Sequence, residues 1–200
     1  MGRPRGFDEV AVLDASVKQF RVHGFADTST EQLCEAAGVR RSSLYNTFTS
    51  KDELFIRSLE RHISITLEQQ ESILTDTDLP GSERLATLFA LILDEERAAR
   101  NDGHAAGCMI VASRMAPDIG TREPRAQRIL DRFHDGQLSL MMGAVRAGRI
   151  DGSLRADVSP RVAALMIVSA ISGIRVLAQS GTAVTELRKV ADLHLESLRA

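Results

Sequence analysis

The residues best equipped for chemistry lie between positions 30 and 51. Two segments, Thr30–Ala37 and Arg41–Phe48, flank the tripeptide Gly38-Val39-Arg40. If Leu33, Ala37, Val39, Leu44 and Phe48 form a small shared core, then Arg41, Ser42, Ser43, Tyr45, Asn46 and Thr47 are left pointing outward. Arginine reads guanine and asparagine reads adenine through paired hydrogen bonds, and short polar side chains let a helix come close to base edges. Lys51 opens the next segment, where its charge and the free N–H groups of a helix start suit a phosphate. The chemistry implied is non-covalent recognition of duplex DNA. Two short helices joined by a glycine turn also occur as plain core packing, so the pattern alone leaves both readings open.

Covalent chemistry finds less support. Asp131-Arg-Phe-His134 has the acid-x-x-His spacing of di-iron bundles, but those need two such pairs and further glutamates. His23, His62, His104, His134 and His194 show no zinc spacing with the cysteines. There is no Gly-x-Ser-x-Gly turn and no Walker loop. The sequence therefore predicts no enzyme, no metal and no cofactor. Cys34 reads as a packed core thiol. Cys108 follows the glycine-bounded stretch Gly103-His-Ala-Ala-Gly107 and opens a short helix, a setting that lowers a thiol pKa. It is the redox candidate; the alternative is a small buried hydrophobe.

These residues need elements to hold them. The 200-residue chain is 44% hydrophobic and 26% charged, which favours a globular protein over a disordered one. The periodicity predicts an all-α fold of about nine helices. They are Phe7–His23, with Val10, Leu13, Val17 and Phe20 on one face and Gly24 as its stop, then Thr30–Ala37 and Arg41–Phe48. A long helix to Leu74 follows, opened by a capping box at Ser50-Lys-Asp-Glu53. Ser82–Arg100, capped by Ser82, precedes Gly107–Ala116, which stops before Pro117. The rest are Pro124–Ala147, a turn region Gly148–Asp157, Ser159–Ser180 and Val184–Leu198. The longest uncharged apolar stretch, Val162 to Ile174, is short of the ~20 residues that span a bilayer, so no membrane helix is expected. Arg3 and Arg5 precede no apolar run, so no signal peptide is expected either. Two cysteines are too few for a disulfide framework, and a reducing cytoplasm is the simplest location. Net charge is −2 overall, and residues 1–51 carry seven Lys/Arg against six acids, so bulk charge names no polyanion partner. The cations instead cluster by position, at Arg3, Arg5, Arg40, Arg41 and Lys51.

Residues 2–58 resemble the TetR (TetR/AcrR) family of bacterial transcriptional regulators. The matching words are Gly2-Arg-Pro-Arg5, Phe20-Arg-Val-His-Gly24-Phe25, Thr28-Ser29-Thr30, Ala36-Ala-Gly-Val39, Ser43-Leu-Tyr45, Phe48 and Ser50-Lys-Asp-Glu-Leu54-Phe55. The resemblance implies a homodimer with a DNA-binding head at residues 1–61. It also implies an effector-binding and dimerising body at 62–200, a palindromic double-stranded operator and a small-molecule effector. By the same resemblance Thr30, Tyr45 and Lys51 fall on phosphate-contacting positions. Arg41, Ser42, Ser43, Asn46 and Thr47 fall on positions facing bases or backbone. Arg40 stands where the family usually has a Ser or Thr N-cap, which weakens the cap and adds a charge.

In the body, the sequence places an effector pocket near His62, Thr66, Phe89, Met109, Phe133, Gln137 and Met141. Gln137 lies on the apolar stripe of its helix, where it meets a ligand or a backbone group. Arg175 interrupts an apolar run and either neutralises an acidic effector or snorkels from a dimer interface. The last two helices, with Ala163, Ala164, Ala170, Ser172 and Gly173 allowing close approach, are expected to pair with a second copy.

Overall fold

The structure, a computed structural model, describes residues 8–101, 107–116 and 119–200. Arg3, Arg5, His104 and Pro117 lie outside the described residues. Ten helices and no strand occur among the rest, so the architecture is all-α. They are α1 (Glu9–Asp27), α2 (Thr30–Ala37), α3 (Arg41–Phe48), α4 (Lys51–Leu74), α5 (Gly81–Asn101), α6 (Met109–Met115), α7 (Ile119–Arg122), α8 (Pro124–Ile150), α9 (Pro160–Gln179) and α10 (Val184–Glu196). The element beyond the expected nine is α7, a single turn too short to show a periodic apolar pattern.

Asp8 starts α1 by accepting the Ala11 N–H at 3.1 Å. Its buried arc is Val12, Leu13, Ser16 and Phe20. Val10, expected inward, is half exposed, because the arc centres on Ser16 and Phe20 and Val10 falls beyond its edge. Gly24 does interrupt the helix at φ +73°, but the chain resumes for another turn through Asp27. That turn is held by the Phe25 ring, 4.7 Å from the Phe55 ring.

Two cores organise the chain. The first gathers Leu13, Phe20, Leu33, Leu44, Phe48, Leu54, Phe55 and Leu59, and continues into Met109, Ile110, Ile129, Leu130 and Phe133. The second joins α5, the later half of α8, α9 and α10 around Phe89, Ile92, Met141, Ala164, Ile167, Ile174 and Leu187. α4 and α8 each run through both cores, so they connect the N-terminal helices rigidly to the body. Ion pairs add to this: Arg61 clasps Asp14 through two hydrogen bonds of 2.7 and 3.0 Å, and Arg57 pairs with Glu9.

Two helix starts differ from expectation. At α4 the Ser50 hydroxyl accepts the Glu53 N–H at 3.0 Å, but the Glu53 carboxylate reaches Arg125 of α8 at 2.7 Å, so the capping box is half formed. At α5 the helix begins at Gly81, and its first N–H groups donate to Asp151 at 2.8 Å and Ser153 at 3.1 Å. A cap from across the molecule thus replaces Ser82. Gly148 lies inside α8 and is not a stop. It sits where Leu154 and Gly81 press against the helix: a Cβ there would meet Leu154 Cδ1 at 2.5 Å, and one on Gly81 would meet Gly148 N at 2.3 Å.

By length and composition α9 is apolar enough to cross a membrane, with mean hydropathy 1.8 over its best window, contrary to the expectation from uncharged runs alone. The difference arises because Arg175 ends the uncharged run without removing the apolar character of the helix as a whole. In the structure α9 packs against α5, α8 and α10, and Arg175 is one of its buried residues.

Candidate nucleic-acid interface and body cavities

Ser29 caps α2 with a complete capping box: its hydroxyl accepts the Gln32 N–H, and Gln32 accepts the Ser29 N–H at 2.7 Å. Gly38 ends the helix in the left-handed region, φ +63°, with its N–H near the carbonyls of Cys34 and Glu35. This turn sets α3 across α2, and Leu33, Leu44 and Phe48 are buried between them. Arg40 precedes α3 without a side-chain cap bond.

α3 presents a polar outer face. Arg40, Arg41, Ser42 and Asn46 are exposed, and Ser43 and Thr47 are half-buried. Arg41 pairs with Glu31 at 3.0 Å and lies 5.6 Å from the Tyr45 ring centre, so its guanidinium is held beside the recognition face. The hydroxyls of Tyr45 and Thr30 share a hydrogen bond of 2.8 Å, which fixes both side chains across the two helices. Lys51 stands over the Phe25 ring at 4.7 Å and donates to the Ala26 carbonyl at 3.4 Å. Desolvation leads in pulling its pKa below the usual lysine value; the charge of Asp52 opposes this and that of Arg122 adds to it. A partly desolvated ammonium beside a helix start is suited to a phosphate oxygen.

Residues 12–57, which contain this helix-turn-helix, match the model for bacterial regulatory proteins of the tetR family. The transcriptional repressor ComR of Escherichia coli (strain K12) is 32% identical over 141 residues, 66% of either chain. The chain belongs to the tetR family. The TetR family regulator CifR, solved as a cysteine mutant with a 26 bp double-strand operator DNA, superposes with TM-score 0.78 and 26% identity. The match covers 98% of this chain and 99% of that one. A TetR family regulator from Agrobacterium tumefaciens superposes with TM-score 0.83 over 96% and 97% of the two chains, at 15% identity, a likeness of fold. As a tetR family member the chain is a DNA-binding transcriptional regulator and not an enzyme.

Within the body of this tetR family protein, a cavity of about 150 Å3 opens between α4, α6, α8 and α9. Thr66, Phe133 and Gln137 line it, with Gln70, Arg114, His134, Ser172 and Arg175. Gln137 donates to the Gln70 side chain at 3.2 Å, both buried, so its partner is another amide and not a backbone group. His62 lines a neighbouring cavity between α1 and the body. Phe89, Met109 and Met141 are outside the lining of both. They fill the two cores, and each is at most 1% exposed. Spacing placed them on inward faces, but an inward face serves a core as readily as a cavity. Of the cavity-lining residues, Arg114 and Ser172 were missed as site residues; the sequence has Gln70 facing the body and the pair of Asp131 and His134 either solvated or lining a pocket, and His134 does line the cavity.

Arg175 does not snorkel from a surface; it lines both cavities from within the body. It is buried, donates to Glu96 at 2.5 Å and pairs with Glu95, so its charge is balanced from within the chain. Cys108 is half-buried at the N-cap of α6 and lines both cavities. Burial pushes its thiol up. The Arg175 charge and the hydrogen bond and charge of His62 outweigh this and bring it to about 7. Among the described residues no three His, Cys, Asp or Glu side chains form a metal-binding group.

Proposed function

We propose that the protein is a cytoplasmic, homodimeric repressor that leaves a palindromic operator when a small molecule enters its body. The observation that carries this reading is the course of α4. It starts at Lys51 on the DNA face and passes the 150 Å3 cavity through Thr66 and Gln70. A ligand that binds one position of α4 better than another changes the separation of two heads, and only that differential affinity moves the equilibrium. Division of labour at residues 61/62 then assigns DNA contact to Thr30, Arg40, Arg41, Ser42, Ser43, Tyr45, Asn46, Thr47 and Lys51. The cavity size suits a compact effector, since a space of about 150 Å3 holds a molecule such as benzene. The relatives support repression: ComR is named as a repressor.

The test is a gel shift with the DNA upstream of the protein's own gene, repeated across a panel of compact organic molecules. Specific binding that an effector weakens about 5–150-fold, a coupling of ~1–3 kcal/mol, is expected. Absence of any sequence-specific complex would favour a helical ligand-binding protein without DNA activity. A second reading, a thiol-switched repressor, is favoured by the thiol of Cys108 standing near 7 inside the cavities. Loss of the response to oxidants or electrophiles in Cys108→Ser, with the response to other molecules kept, would establish it.

A further inference from the structure

Two amides in the wall of the effector cavity are only half used. Gln70 and Gln137 are 2% and 7% exposed, and both line the cavity. One hydrogen bond joins them, from Gln137 Nε2 to Gln70 Oε1 at 3.2 Å. A closed amide pair would make two. Here the Gln70 amino group and the Gln137 carbonyl make no hydrogen bond among the described residues. The side-chain atoms sealed off without a partner are those of Arg21 and Ser58, so both spare amide atoms are open to the cavity. Turning both amides over leaves the same complement, one N–H and one carbonyl oxygen. Most other polar groups of the wall are committed. The Thr66 hydroxyl donates to the His62 carbonyl at 2.8 Å, and Cys108 is hydrogen-bonded to His62. Arg175 is balanced by Glu95 and Glu96. Arg114 is exposed and holds the Leu130 carbonyl and Asp131. His134 and Ser172 are half-buried. Ile110, Val111, Phe133, Val168 and Ile171 supply apolar wall.

We infer that this cavity takes a neutral hydroxyl compound with a compact apolar body, its oxygen accepting from Gln70 and donating to Gln137. The inference deepens the repressor reading and rests on it for any effect on DNA; the binding itself does not. The two spare atoms select the class. A carboxylate only accepts and an ammonium only donates, so either leaves one buried amide atom unpaired. Neither finds a free counter-charge in the buried wall, because Arg175, Glu95 and Glu96 are already paired. A hydroxyl does both, reproduces the bonds a water would make there, and brings apolar surface to the wall. An amide also donates and accepts, but it is bulkier than a hydroxyl beside a ring that already fills about 150 Å3. Gln70 is on α4 and Gln137 on α8, so the ligand oxygen ties together the two helices that run through both cores.

Phenol, toluene, benzoate and benzamide are suitable probes, titrated into the full chain by calorimetry and by methyl NMR. Phenol is expected to shift the methyls of Ile171, which lines the effector cavity only, and to leave Ile65, which lines the neighbouring cavity only, in place. It is expected to bind about tenfold or more tightly than toluene, which leaves both amide atoms unpaired, and than benzoate. Gln70→Met combined with Gln137→Met is expected to abolish the preference for phenol over toluene. Toluene, benzoate or benzamide binding as tightly as phenol would overturn the proposal. So would the absence of any Ile171 shift with phenol. None of these measurements involves DNA, so the gel shift separates a failure here from a failure of the repressor reading. The ranking of probes is read on the unmodified chain, so the outcome holds even if the double variant fails to fold.

Discussion

The two cysteines sit in opposite electrostatic settings. Arg175 and His62 hold the Cys108 thiol near 7, whereas burial, its leading influence, raises that of Cys34. The thiolate is the nucleophile, so alkylation follows its fraction. Cys108 is expected to react with iodoacetamide at a rate rising with pH and half-maximal near pH 7. Cys34 should lag throughout the neutral range. Peptide mass spectrometry from pH 6 to 9 reads both sites, and equal rates at pH 7 would refute the assignment. On the DNA face, Tyr45 is the only tyrosine and there is no tryptophan, so intrinsic emission reports on α3. Operator DNA is expected to change it. Lys51→Ala should weaken binding to all sequences, while Asn46→Ala should relax preference at one base position by about 1–3 kcal/mol. Fluorescence anisotropy on a set of single-base operator variants separates the two behaviours; unchanged affinity in both would remove α3 as the reading helix.

The helices meet by close approach at two glycines. An alanine within a helix interior is ordinarily favoured over glycine by roughly 1 kcal/mol. At Gly148 and Gly81 the added methyl collides instead, with Leu154 Cγ and Cδ1 in one case and with the α8 backbone in the other. Overpacking therefore decides the sign, and each substitution is expected to destabilise by about 1–3 kcal/mol. Thermal unfolding should show Gly81→Ala as the worse of the two, because backbone cannot rotate aside. Leu154→Ala is expected to relieve part of the Gly148→Ala cost, so the double variant should be less destabilised than the sum of the singles. Strict additivity would mean that the contact is not tight.

At the scale of the whole molecule, α9 has an outward stripe that the chain leaves uncovered. Val162, Leu165, Val176 and Leu177 are 40–58% exposed, with Ser169 and Gly173 between them, and Leu193 of α10 is 71% exposed. Ala163, Ala164 and Ala170 face the body, so the small residues available for close approach are Ser169 and Gly173. A two-fold contact through this stripe would bury apolar area on both copies and set two heads on one palindrome. Sedimentation is expected to give a dimer at micromolar concentration. Leu165→Glu with Val176→Glu should give a folded monomer with much weaker operator binding. A dimer surviving both changes would place the interface elsewhere.

Local rules were enough for much of this. The bounds of α2 and α3, the capping box at Ser29 and the left-handed glycine at position 38 follow from residues within a few positions of one another. The polar face of α3 was therefore readable from its spacing, and the tetR resemblance rested on the same short-range words. What tertiary structure decided are matters of partner choice between distant segments. Glu53 turned to Arg125, Asp151 and Ser153 took over the cap of α5, and Gly148 became a packing site instead of a stop. Arg175 found Glu95 and Glu96, some 80 residues away, and so became an internal charge. Phe89, Met109 and Met141 share the periodicity of Phe133 and Gln137, yet they fill cores while the latter two line a cavity. Periodicity reports only which side of a helix faces inward. Whether that side meets a neighbouring helix or an open space depends on how the helices are spaced, and that spacing is set by contacts across the whole chain.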